Sequence, residues 1–184
     1  MMIIVDAVII RIPTYQDYYS LIEYKKGDIA MVLQLEEKVI YLLQNPNTVK
    51  VLATTNEQGE PHVVVKQSLQ LGEDGNIVYL ELIESSQTYK NLTRSIWFNR
   101  KVAVTLVGQD GQSYQIKGTP IKCIVAGKIF EEQYSKIREK LADADLAAVW
   151  IIQPEEVINQ TYSQRKAEEE IKHPFYRHLD RLAK

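Results

Sequence analysis

The stretch that decides the fold begins with Ile77-Val78-Tyr79-Leu80, passes through Glu84-Ser85-Ser86-Gln87-Thr88-Tyr89-Lys90-Asn91-Leu92, and ends in Val102-Ala103-Val104-Thr105-Leu106-Val107. It reads as a strand, a helix and a second strand. Three hydroxyls and a lysine crowd the point where the first strand becomes the helix. The first-turn N–H groups of a helix lack internal partners, and the helix dipole adds partial positive charge there. Small hydroxyl side chains leave room for an anion and add donors of their own. They are also ordinary helix caps, so two readings stand: a capped helix start, or an anion site built without a glycine loop.

Outward from this stretch the chain is rich in strands. Thr48 to Thr55 is β-branched, Asn56-Glu57-Gln58-Gly59 is a tight turn, and His62 to Leu71 reads as one second strand. Gly72-Glu73-Asp74-Gly75-Asn76 turns into the Ile77 strand. Gln109-Asp110-Gly111 links the Val102 strand to a long one, Tyr114 to Ala126. Leu146 to Ile152 is the last, with Gln153-Pro154 expected to close it. Short turns between strands imply an antiparallel sheet, and six strands in roughly a hundred residues imply a barrel. Helices flank it. Leu35, Val39, Leu42 and Leu43 share helical spacing, as do Phe130, Tyr134, Ile137 and Leu141. Residues 1–30 form an N-terminal extension with a β-like run from Ile3 to Ile12 and a tyrosine-rich piece. Residues 31–160 form the barrel domain, and residues 161–184 a charged helical tail.

Composition removes several function classes. An apolar fraction of 45% and a charged fraction of 25% are those of a soluble globular chain. A formal net charge of −2 offers no bulk basic field for nucleic acid or an anionic membrane. No apolar run approaches the ~18 residues of a membrane span. The start, Met1-Met2-Ile3-Ile4-Val5-Asp6, lacks a basic leader, so no signal peptide is expected. The lone Cys123 excludes an internal disulfide, sits in an apolar run as an expected buried thiol, and suits a reducing cytoplasm. Three histidines, with His62 isolated and His173 and His178 five apart, make no metal motif. G-x-S-x-G, H-E-x-x-H and G-x-G-x-x-G are absent.

Three stretches in this order resemble the FMN-binding split barrels of the pyridoxamine 5′-phosphate oxidase-like superfamily. They are Val51-Leu52-Ala53-Thr54-Thr55 with Gly59-Glu60-Pro61-His62-Val63-Val64, Ser86 to Leu92 with Lys101-Val102-Ala103-Val104, and Tyr114-Gln115-Ile116-Lys117-Gly118. The chain looks most like the small FMN-binding proteins of sulfate reducers, through its Gly-x-Pro-His turn and its Thr-x-x-Asn helix start. The resemblance covers roughly residues 31–160. It implies a mainly β, α+β fold: a six-stranded antiparallel split β-barrel with flanking helices, homodimeric, with FMN in clefts at the subunit interface. It places the phosphate at Ser85, Ser86 and Thr88, with Lys90 supplying charge, and counts Gln87 and Asn91 among the cofactor-binding residues. The flavin ring would lie along Val65, Lys66, Gln67 and Ser68, where a lysine near the ring favours reduced, anionic flavin.

Three departures narrow the function. Gln87 stands where the small proteins have a lysine, Val64 where the oxidases have an arginine, and the oxidases' C-terminal substrate motif is missing. They speak against pyridoxamine phosphate oxidation. The leading expectation is an FMN-dependent oxidoreductase or electron-transfer protein acting on a small molecule or a redox protein. The rivals are a non-enzymatic barrel with weak or no flavin, and a haem- or deazaflavin-binding relative. In the haem case His62, His173 and His178 are the only possible axial ligands.

Overall fold

The computed structural model describes the backbone of Met2–Val5 and Val8–Arg11, and residues 33–173 apart from residue 142. His178 and the tyrosine-rich piece lie outside the described residues. The chain divides into two compact units, Met1–Met31 and Val32–Lys184. In the first, β1 (Met2–Val5) and β2 (Val8–Arg11) form an antiparallel pair in which Met2 faces Arg11 and Val5 faces Val8.

Among the described residues the second unit holds one seven-stranded antiparallel sheet and four helices. Its elements are α1 (Glu37–Gln44), β3 (Val49–Thr55), β4 (Pro61–Val65), β5 (Gln70–Leu71), β6 (Ile77–Glu81), α2 (Gln87–Trp97), β7 (Val102–Val107), β8 (Ser113–Ile124), α3 (Lys128–Lys140), β9 (Ala148–Asn159) and α4 (Tyr162–Lys172). The strand order is β4-β3-β7-β8-β9-β6-β5. β4 and β5 therefore lie at opposite edges although only Lys66–Leu69 separates them. Five residue steps reach about 17 Å at full extension. A flat seven-stranded sheet is about 29 Å across at ~4.8 Å per strand. The sheet must therefore curl until its edges approach, which makes a half-barrel.

The segment that makes the crossing is also why the sheet has seven strands and not six. His62 to Leu71 is not one strand. The Leu69 N–H donates to the Lys66 carbonyl at 3.2 Å, a turn that breaks the ladder. The chain then pairs with β6, Gln70 opposite Val78. Side chains and backbone pin the crossing on both flanks. The Lys66 N–H donates to the Lys50 carbonyl on β3 at 2.8 Å, and the Ser68 hydroxyl donates to the Leu80 carbonyl on β6 at 2.7 Å.

The last strand also differs from its sequence reading. Pro154 does not close it; β9 runs on to Asn159. The ladder with β8 shifts register between Lys117 and Gly118, where Lys117 faces Glu156 and Gly118 faces Pro154. A bulge tolerates a residue that cannot donate to the ladder. Gly118 is required there, because a Cβ at that position would collide with the Gln153 carbonyl oxygen.

The core fills the inside of the curl. Leu52, Tyr79, Leu106, Ile116 and Trp150 are fully buried, and Val39, Leu42 and Leu43 of α1 are buried with them. Each such aliphatic side chain contributes about 1.5–3 kcal/mol by leaving water. A second cluster, Val78, Leu80, Leu146 and Val149, packs under Phe130 and Ile137 of α3. β6 is thus covered on both faces, which accounts for its unbroken apolar run. Cys123 is half-buried and not enclosed. It lies near the edge-to-face pair of Tyr89 and Trp150, whose ring centroids are 5.3 Å apart.

Candidate functional site

Ser86 is the N-cap of α2. Its backbone is extended and its Oγ accepts from the Tyr89 N–H at 3.0 Å. The capping reading of the hydroxyl-rich turn is therefore correct for this residue. The Ser86 hydroxyl also donates to Glu81 Oε2 at 2.7 Å. Glu81 went unmarked in the sequence, yet it organises this corner. Its carboxylate is buried, with a side-chain exposure of 2%. It accepts from the Tyr79 hydroxyl at 2.6 Å and from the Ile83 N–H at 3.2 Å, and pairs with Lys66 Nζ at 3.3 Å. Lys66 Nζ also stands over the Tyr79 ring, 5.2 Å from its centroid.

Burial alone would raise the Glu81 pKa. The Tyr79 and Ser86 hydroxyls, the Lys66 charge and the Ile83 N–H outweigh it and hold the group below the usual carboxylate value. Tyr79 is pushed well above the usual phenol value, first by burial and then by the hydrogen bond and charge of Glu81. The result is an ionised carboxylate ringed by four donors, beneath the helix start.

The remaining predicted cofactor residues of the helix start separate into two sets. Thr88 is buried and its Oγ1 lies 3.2 Å from His62 Nε2. Asn91 is fully buried; its amide donates to Thr54 Oγ1 at 2.9 Å and its oxygen accepts from Gln87 at 2.7 Å. These two tie α2 to β3 and β4. Ser85, Gln87 and Lys90 are exposed. The N–H groups of Gln87 and Thr88 have no acceptor among the described residues. His62 is half-buried against Thr88.

The predicted ring strip lies on the crossing segment. Alternation along β4 turns Val65 outward, 60% exposed. Lys66 turns toward Glu81, and Ser68 to Leu80. Gln67 accepts from the Lys50 N–H at 3.1 Å and donates to the Pro46 carbonyl at 3.3 Å. All four residues line one cavity of about 790 Å³, which Lys50, Tyr79, Glu81 and Ile137 also line. Leu82 and Ile83 border this cavity and also a shallower hollow containing Ser85. The two predicted groups, ring strip and helix start, thus meet across Leu82, Ile83 and the buried Glu81. Among the described residues no cluster of three metal-ligating side chains occurs, and no helix is long and apolar enough to cross a membrane.

No protein-family model matches the chain, and no curated protein matches it in sequence. Solved structures do match its shape. HupZ of Group A Streptococcus is 22% identical at a TM-score of 0.59, over 70% of this chain and 96% of that one. An FMN-binding protein from Syntrophomonas wolfei is 13% identical at 0.58, over 79% and 92%. A protein from Lactobacillus delbrueckii named for pyridoxamine 5′-phosphate oxidase is 22% identical at 0.53, over 68% and 93%. The chain has the fold of these structures, a split barrel. In this split barrel the crossing segment, the Glu81 carboxylate and the start of α2 form one continuous wall.

Proposed function

We propose that this split barrel binds a flavin, FMN by preference, and serves as a redox protein. The observation that carries the reading is the continuity of the wall: a planar ring has a cavity along Lys66, Gln67 and Ser68, and a phosphate has a helix start one short step away. The cavity volume is in the ~300–1,000 Å³ range of small-molecule sites. Ser85, Lys90 and the N–H groups of Gln87 and Thr88 are the donors for the phosphate; Ser86, Thr88 and Asn91 brace the turn that presents them. Electron or hydride transfer would be the flavin's own chemistry, with the chain setting its position and surroundings.

A homodimer belongs to the same proposal. The outer faces of β4, β3 and β7 carry Val63 and Val65 at 60% exposure and Val49 at 45%. In register, Val65 faces Val51 and Val63 faces Ala53, with Ala103 next to it on β7. A continuous apolar sheet face of this kind favours a second copy.

One observation favours a second reading, a barrel that takes no flavin. The Glu81 carboxylate lies directly under the helix start and contributes a negative charge where a phosphate needs positive surroundings. The two readings separate in a titration of the purified chain with FMN and with riboflavin. Flavin binding with FMN the tighter ligand supports the first; a colourless chain that leaves FMN fluorescence unquenched supports the second, and a Soret band points to haem. Under the first reading Ser85→Ala with Lys90→Ala weakens FMN binding and leaves riboflavin unchanged.

A further inference from the structure

Lys50 is an interior cation that neither the fold nor the proposed flavin contacts account for. On β3 the inward positions are Lys50, Leu52 and Thr54, all buried. Lys50 is 5% exposed, and its Nζ donates to the Leu69 carbonyl at 2.9 Å. An ammonium has three donors. No carboxylate lies within ion-pairing distance of Lys50 among the described residues; the acidic residue of the cavity wall, Glu81, pairs with Lys66. A buried charge without a counter-charge is costly to keep. Burial accordingly lowers the Lys50 pKa.

The cavity that Lys50 lines is cationic as a whole. Lys50, Lys66 and Lys140 stand in its wall against one carboxylate, Glu81, a formal balance of +2 in a chain whose net charge is −2. The rest of the wall is largely apolar, with Leu43, Leu71 and Ile137 among its residues. A cationic, apolar-walled recess selects for an apolar body with one anionic head.

We propose that this cavity binds a small organic acid, its anionic head held by the Lys50 ammonium and its apolar body packed against the aliphatic wall. The site shares its cavity with the flavin ring strip, but its argument stands apart from the flavin reading, because it rests on Lys50 and the charge of the wall. Bound acid would supply the missing counter-charge and the acceptors for the remaining donors.

The test uses two fluorescent probes on the full chain: 8-anilinonaphthalene-1-sulfonate, with an apolar body and a sulfonate, and N-phenyl-1-naphthylamine, the same body uncharged. The natural chain is expected to bind the sulfonate at least tenfold more tightly. Lys50→Met, similar in volume, is expected to remove that preference and leave the neutral probe unchanged; Lys140→Ala, at the rim, reduces it less. Equal affinity for the two probes on the natural chain overturns the proposal without any variant, as does a folded Lys50→Met that still prefers the sulfonate. The occupant is tested by comparing FMN with riboflavin. If Lys50→Met abolishes the FMN preference, the anion held there is the flavin's phosphate and a free organic acid is overturned. Sulfonate binding that depends on Lys50, with no uptake of FMN, removes the flavin reading and leaves this one standing.

Discussion

Glu81 and Lys50 are both charged groups inside the same barrel wall, and their surroundings are opposite. Glu81 has four donors around its two oxygens, one of them a cation. Lys50 has one main-chain carbonyl. The first arrangement resembles a finished structural brace: every hydrogen-bonding partner is present in the chain. The second is incomplete in the chain alone. A charge that the protein fully satisfies holds the fold, and one left short is where an outside group gains most by arriving.

Several measurements can break or sharpen this contrast. The largest effect is expected at Glu81. Glu81→Ala leaves Lys66 unpaired and the Tyr79 hydroxyl without its acceptor, and should cost about 3–5 kcal/mol in urea unfolding. A cost below 1 kcal/mol would mean that the carboxylate is not the brace described. Lys50→Met removes an unpaired buried charge but leaves the Leu69 carbonyl without its donor, so the two effects should offset to within about 1 kcal/mol. A loss above about 2 kcal/mol would mean that the ammonium serves the fold through Leu69 and is not a site left short.

The smallest effects are in the pH dependence. Glu81 has a folded pKa below its unfolded value, so its contribution is present above the ordinary carboxylate range and is lost as pH falls through the folded value. Lys50 has a folded pKa below its unfolded one, so the unfolded chain holds more protons between the two. Stability should therefore rise with pH across that alkaline interval, and Lys50→Met should flatten the rise. Urea midpoints taken from neutral to alkaline pH read the slope directly; an unchanged slope in the variant removes Lys50 as its source.

Much of the barrel was legible in the sequence because turns and apolar runs are local signals. Gly59, the Gly72–Gly75 turn and Gly111 mark strand ends where the structure has them. Two errors share a cause. The break at Lys66–Leu69 carries no glycine or proline, so nothing local separates β4 from β5; only the need to reach the far edge of the sheet does. Pro154 carries the opposite signal, and the bulge against Gly118 overrides it through long-range pairing. At the site, the hydroxyl-rich helix start was readable as a cap, and Ser86 is one. Glu81 was missed, although strict alternation puts it on the face of Ile77 and Tyr79, in the core. The same alternation from Leu52 and Thr54 would have placed Lys50 inside. The signal was the odd charge at an inward position, and it needed a decision about which face was inward.

The four residues from Lys66 to Leu69 have a mechanical consequence. They are the single covalent strap between the two open rims of the curl, and the sheet has no ladder of its own across that gap. Cleaving the chain there would release both rims at once, whereas a cut in the Asn56–Gly59 hairpin tip would leave the curl strapped.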